Sequence, residues 1–158
     1  KNFFNKQLPP DLDIDEMTPM NWDNILELIE LGHTIGAHTI NHVNLSSLVD
    51  NDQLEEEIIL AGEQIEKRIG IRVDHFAFPF GNIGSMNAQA MRIATKKYKY
   101  IYSGIRGKND TNTNHWAIRR EAINILDEVQ YNAFIASGGL GFYYWKDRFQ
   151  LDKIASNV

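Results

Sequence analysis

Two amphipathic helical segments each run into a glycine, and each glycine opens a short apolar stretch. This repeated order limits the fold more than any other feature of the chain. Trp22, Ile25, Leu26 and Ile29 recur at the spacing of one helix face. Thr18-Pro19 suits the start of that helix and Gly32 its stop. Residues 34–37 then read as a short buried strand broken by Gly36. The order repeats: Asp50 can cap a helix whose inner face is Leu54, Ile58, Ala61, Ile65 and Ile69. Glu55, Glu56 and Glu57 are expected to point outward near its start, with Lys67 and Arg68 near its end, as the helix dipole favours. Gly70 stops it, and residues 73–80 form the next strand. Further on, the pattern predicts a helix over 87–97, an aromatic strand over 98–103, a polar loop, a short strand over 115–120 and a helix over 126–136. Gly138, Gly139 and Gly141 break the chain before the aromatic run 142–145. Helices alternating with short strands imply an α/β fold with a largely parallel sheet.

Length supports one domain over residues 1–158. Hydrophobic residues make up 43% and charged residues 23%, a composition that folds rather than stays disordered. A net charge of -5 argues against a nucleic-acid partner. The chain has no Cys, which removes thiolate ligands, Cys nucleophiles and disulfides. No apolar run reaches transmembrane length. Lys1 is not an initiator Met, and the chain is expected to be an N-terminally truncated piece of a longer protein.

The chemistry concentrates at two strand ends. His38 and His42 stand four apart where the first short strand stops. If the chain coils helically there, both imidazoles share one face and can ligate one divalent metal. A third ligand must come from elsewhere. Thr39 and Asn41 fit an irregular loop equally well, since both bond readily to nearby backbone. The second strand ends in Phe76-Ala77-Phe78-Pro79-Phe80-Gly81, an alternating aromatic run closed by a turn. At least two of its three phenylalanines are expected in the core.

The pairing of His38-Thr39-Ile40-Asn41-His42 with Phe76-Ala77-Phe78-Pro79-Phe80-Gly81 resembles the polysaccharide deacetylases of the NodB-homology type, carbohydrate esterase family 4. The resemblance covers roughly residues 20–125. It implies a distorted (β/α) barrel, here partial and without its first strands, with the site at the carboxyl ends of the strands. It implies a divalent metal, expected to be Zn2+, held by His38 and His42 together with an Asp. That Asp belongs to a Thr-Phe-Asp-Asp motif absent from this chain, and Asp11, Asp13 and Asp15 lack the apolar strand that precedes it. A chain without that carboxylate pair is expected to be a poor catalyst.

The implied reaction is hydrolysis of the acetamide of an N-acetylated glycan. The resemblance gives the Phe80 N–H the oxyanion and makes the Pro79 turn one wall of the substrate site. Phe76 stands where the family usually has an Arg, so Arg120 is the candidate replacement, preferred over Arg119 because it shares strand parity with Ile118. The alternative is that both arginines pair with surface acids such as Glu121. No late Leu-x-His supplies an acid for the leaving amine, which leaves His115, beside Trp116, a residue able to stack on a sugar or to pack as a core aromatic. The competing function is a non-catalytic carbohydrate-binding or assembly protein on the same fold. Family members of this kind are expected in the cell envelope or secreted.

Overall fold

The computed structural model describes residues 19–124 and 126–158. The acidic residues Asp11, Asp13 and Asp15 and the Thr18 helix start lie outside the described residues. Among the described residues, the helices are α1 (Trp22–Glu30), α2 (Asn51–Glu55), a π-helical segment (Glu56–Leu60), α3 (Ala61–Ile69), α4 (Ala88–Thr95), α5 (Val129–Ala136) and α6 (Trp145–Ser156). None of them is long and apolar enough to cross a membrane.

The strands are very short. β1 (His75–Ala77) pairs in parallel with β2 (Tyr100–Tyr102), with His75 opposite Tyr100 and Ala77 opposite Tyr102. Single parallel bridges extend this pair on both sides, Ala37 to Phe76 and Tyr102 to Ile118. Four chain segments therefore run the same way, as the alternation of helices and strands requires. Among the described residues the arc does not close into a barrel. The predicted strands at 34–37 and 115–120 are each reduced to one bridging residue.

Side-chain alternation gives the arc two different faces. Ala37, Phe76, Ile101 and Ala117 are buried on the helix side. There Tyr98 stacks on Phe76, ring centres 5.1 Å apart, and Leu54, Ile58 and Met91 complete the packing. Burying a side chain the size of Phe76 contributes about 1.5–3 kcal/mol. The other face carries His75, Ala77, Tyr100 and Tyr102, all half-buried.

Helix ends follow the residues that suit them. Asn21 caps α1 by a reciprocal pair of bonds with Asn24. Asp50 caps α2 and Asn87 caps α4. Gly70 ends α3 at φ 74°, a left-handed position open to glycine. Two helix expectations need correcting. The stripe on α1 is only partly inward: Ile25 and Ile29 pack on the core, while Trp22 and Leu26 stay exposed. Glu57, expected outward, is 7% exposed. It lies three residues after Leu54 and four before Ala61, on the buried face.

Candidate metal centre

His38 follows directly on the bridge at Ala37, whose N–H donates to His75 O at 2.8 Å and whose O accepts from Ala77 N at 2.9 Å. The imidazole folds back on β1, with Nδ1 2.7 Å from Ala77 O. A carbonyl oxygen only accepts, so Nδ1 is the donor here and Nε2 is the nitrogen left to face a ligand. Metal-ligating histidines are oriented by this kind of backbone contact.

The chain does not coil helically after His38, contrary to one reading of the spacing. Thr39 has φ 64° and His42 φ 54°, both left-handed. Each such residue costs about 1–3 kcal/mol and persists only when its surroundings hold it. The Thr39 Oγ1 accepts the His42 N–H at 3.0 Å. Glu57 accepts from the Ile40 and Asn41 N–H groups at 3.1 and 2.9 Å and from Asn41 Nδ2 at 2.6 Å. The loop brings the His38 and His42 rings edge to face, with centres 4.9 Å apart and planes at 71°. Two imidazoles on one zinc ion, each at ~2.0–2.1 Å, have ring centres about 5 Å apart. The ring spacing is compatible with two ligands on one divalent ion. Among the described residues no third His, Cys, Asp or Glu joins them.

The turn after β1 stands beside this pair. Gly81 N donates to Pro79 O at 2.6 Å across Phe80, whose φ is 61°. This is a γ-turn of the uncommon, strained hand. Gly81 is required: at its φ of 65° a Cβ would sit 2.3 Å from Gly104 N. Phe76 and Phe78 are buried, as the core reading expects, and Phe80 is 60% exposed. The Phe80 ring packs edge-on against His42 at 5.0 Å. Among the described residues the Phe80 N–H has no hydrogen-bond partner.

A groove of about 400 Å³ runs along the open sheet face from His38 past Ala77, His75 and Tyr102 to Arg120. Arg120 Nε donates to Ser103 O at 2.6 Å. Partial burial of the head group lowers the guanidinium's pKa, partly offset by Tyr102. Tyr102 is shifted up by burial and by Tyr100, against the pull of Arg120. Its hydroxyl lies 2.8 Å from His75 Nδ1.

Arg119 points the other way, pairing with Asp152 at 2.6 Å and donating to Lys108 O at 3.0 Å. The parity argument thus places Arg120 on the groove, although Arg120 is the more exposed of the two arginines. The Arg119 side chain is 13% exposed, while Arg120 is an exposed residue. The reason is that α6 covers Arg119 through Asp152, whereas the groove is open.

His115 and Trp116 are not brought to the histidine pair. Because the fourth segment runs parallel to β2, residues preceding Ile118 lie at the amino end of the strands. His115 packs against Tyr100 at the start of β2, ring centres 5.3 Å apart, and its carbonyl accepts from Ile101 N. Both residues line a separate cavity of about 610 Å³ with Arg72, Lys97 and Lys99. Trp116 packs against the core, the second of its two readings.

A profile of polysaccharide deacetylases matches residues 13–101, more than half of the chain. The chain belongs to the polysaccharide deacetylase family. No curated protein sequence matches it. Among solved structures, this deacetylase-family chain resembles the Streptococcus pyogenes deacetylase PplD in complex with acetate, at 21% identity and TM-score 0.53 over 58% of this chain and 39% of that one. It also resembles a polysaccharide deacetylase from Bacillus cereus, at 19% identity and TM-score 0.54 over 75% of this chain and 38% of that one. A Bacillus anthracis protein gives 20% identity and TM-score 0.57, over 78% and 38%. The chain thus spans under two fifths of each of these relatives. At this identity the likeness speaks for the fold.

For this family member, the residue that sequence reasoning missed is Glu57. Its charge placed it outside, although its spacing from Leu54 and Ala61 marked it as inward.

Proposed function

We propose that the protein containing this chain is a metal-dependent hydrolase that removes N-acetyl groups from an amino-sugar glycan. The observation that carries the reading is the His38–His42 pair: two rings 4.9 Å apart at parallel strand ends, with His38 Nδ1 bonded to Ala77 O and Nε2 left open. Membership of the polysaccharide deacetylase family supports the same reaction class. His38 and His42 would hold the divalent ion, proposed as zinc, which when bound supplies Lewis acidity toward an acetamide carbonyl.

The chain's own groups would do the rest. The Phe80 N–H is a preset backbone donor, of the kind that stabilises a developing oxyanion. The Pro79–Phe80 turn would form one wall against the substrate. Arg120 would set a guanidinium on the groove, where a carboxylate acting as base could be oriented by it. His115 and Trp116, at the opposite ends of the strands, are not proposed for this step. Acetate is bound in the Streptococcus pyogenes relative and would be the product here. A cell-envelope or secreted address belongs to the same proposal, because such glycans lie there.

The test is acetate release by the full-length, zinc-loaded protein from chitin oligomers, peptidoglycan and poly-N-acetylglucosamine. Release from at least one substrate, lost on chelation and in His38→Ala, is expected. Zinc binding without acetate from any of the three would leave a carbohydrate-binding role in its place.

A further inference from the structure

Glu57 is the one buried carboxylate among the described residues, and it sits in the only π-helical segment there. Single π turns inside α-helices occur often at functional sites. Here the π turn has an identifiable partner: Tyr98 Oη donates to Ile58 O at 2.6 Å, so a side chain takes up a carbonyl of the altered ladder. Gly62 makes room for it, since a Cβ at that position would sit 2.4 Å from Tyr98 Oη.

Both Glu57 oxygens are directed at the histidine loop. Oε2 accepts the Ile40 and Asn41 N–H groups, and Oε1 accepts the Asn41 side-chain amide. Ile40 and Asn41 are two of the three residues between His38 and His42. The loop they occupy begins and ends with left-handed residues, Thr39 and His42. The Thr39–His42 bond spans that loop but does not anchor it to the body of the protein. Glu57 does so, across a separation of 16 and 17 residues. With its oxygens committed to three donors, Glu57 is not placed as a ligand itself, and it does not cluster with the two histidines.

We infer that Glu57 is a positioning residue that fixes the His38–His42 loop from the helix behind it, so that both imidazoles face one ion. This rests on the metal reading of the histidine pair. A carboxylate suits the task because one oxygen can accept two adjacent backbone N–H groups while the other accepts a side-chain donor. Glutamine can do the same if Asn41 turns its amide over and presents its oxygen. Alanine cannot. A buried carboxylate used only for packing would respond differently, because any change there would lower stability without acting on the metal selectively.

The experiment compares the full-length protein with Glu57→Ala, Glu57→Gln and Asn41→Ala. Zinc affinity is measured by competition, the ligand field by cobalt(II) absorption, loop order by amide exchange at Ile40 and Asn41, and stability by thermal unfolding. Glu57→Ala should lose ~10–100-fold in zinc affinity, the usual effect of removing a group that orients metal ligands. It should also alter the cobalt bands and speed exchange at Ile40 and Asn41. Glu57→Gln should restore affinity and exchange to near those of the parent. Asn41→Ala, which keeps both backbone bonds, should fall between.

Wild-type zinc affinity in Glu57→Ala would overturn the inference, as would a Glu57→Gln protein as weak as the alanine variant. A parent protein that takes up neither zinc nor cobalt would overturn the metal reading itself. That failure is separable, because amide exchange at Ile40 and Asn41 would still distinguish the variants.

Discussion

Thr39, His42 and Phe80 are the non-glycine residues at positive φ among those described, and all three lie around one pair of imidazoles. Strain of this kind collects where backbone geometry serves a ligand. It makes His42 a position where stability and metal binding should part. His42→Gly removes the cost of a side chain in the left-handed region and also removes a ligand. Its melting temperature is expected to stay level or rise while zinc affinity falls by more than ~10-fold, the direction of a stability–function trade-off. A fall in both would mean that the ring holds the fold. Gly81 gives the opposite case. Gly81→Ala adds a Cβ at φ 65° and 2.3 Å from Gly104 N. Unfolding should become easier by roughly 1–3 kcal/mol, readable by denaturant titration. At this scale the nearness of the two histidines was legible, although a left-handed loop and not a helical turn brings them together, and the burial of Phe76 and Phe78 was legible from their alternation. The left-handed turns at His42 and Phe80 were not, because neither residue type announces positive φ.

Helix stops were more legible than caps: Asp50 caps α2 and Gly70 ends α3 as their chemistry favours, whereas Asn87, expected inside its helix, caps α4, and Asn21 rather than Thr18-Pro19 starts α1. The strands were placed but drawn too long: β1 and β2 have three residues each, inside the expected 73–80 and 98–103. Helix α6 escaped notice because its apolar residues do not form a stripe. Leu151 and Ala155 are buried while Trp145 and Phe149 are exposed. The π segment was also hidden, because it depends on Tyr98, some 40 residues away in sequence. Tyr98→Phe tests that dependence. It keeps the stacked ring and deletes the donor to Ile58 O, within a core where an unmet polar group costs about 1–3 kcal/mol. A melting temperature within error of the parent would show that the π turn stands without the tyrosine. The hydroxyl is expected to stay protonated throughout the working range, since burial drives its pKa far up.

Among the described residues, polar groups gather at both ends of the arc. The histidine pair, the Phe80 turn and the Arg120 guanidinium are gathered where the strands stop. Asp74 and Glu66 tie together the end where they start. Asp74 lies 2.6 Å from Arg72 Nε and 2.7 Å from Lys99 Nζ, joining the lead-in of β1 to that of β2. The Lys99 bond, with the charges of Arg72 and Lys99, holds its carboxyl below the usual value against the effect of burial. For Glu66, burial pushes upward, but the Lys97 bond, the Val73 N–H and nearby cations outweigh it. A carboxylate whose pKa is lower in the folded state contributes stability above its unfolded pKa, about 4, and loses it as pH falls through the folded value. Stability should therefore be flat near neutrality with respect to these groups and decline below about pH 4. General charge repulsion acts in the same window, because protonating 21 acidic residues leaves 16 Lys and Arg unopposed. The two effects separate by substitution. Asp74→Asn cannot lose a carboxylate, so its melting temperature should start lower near neutrality and fall less steeply through the acid range, the two curves converging at low pH. Parallel curves for parent and variant would assign the acid sensitivity to overall charge and remove Asp74 from the link between the two strands.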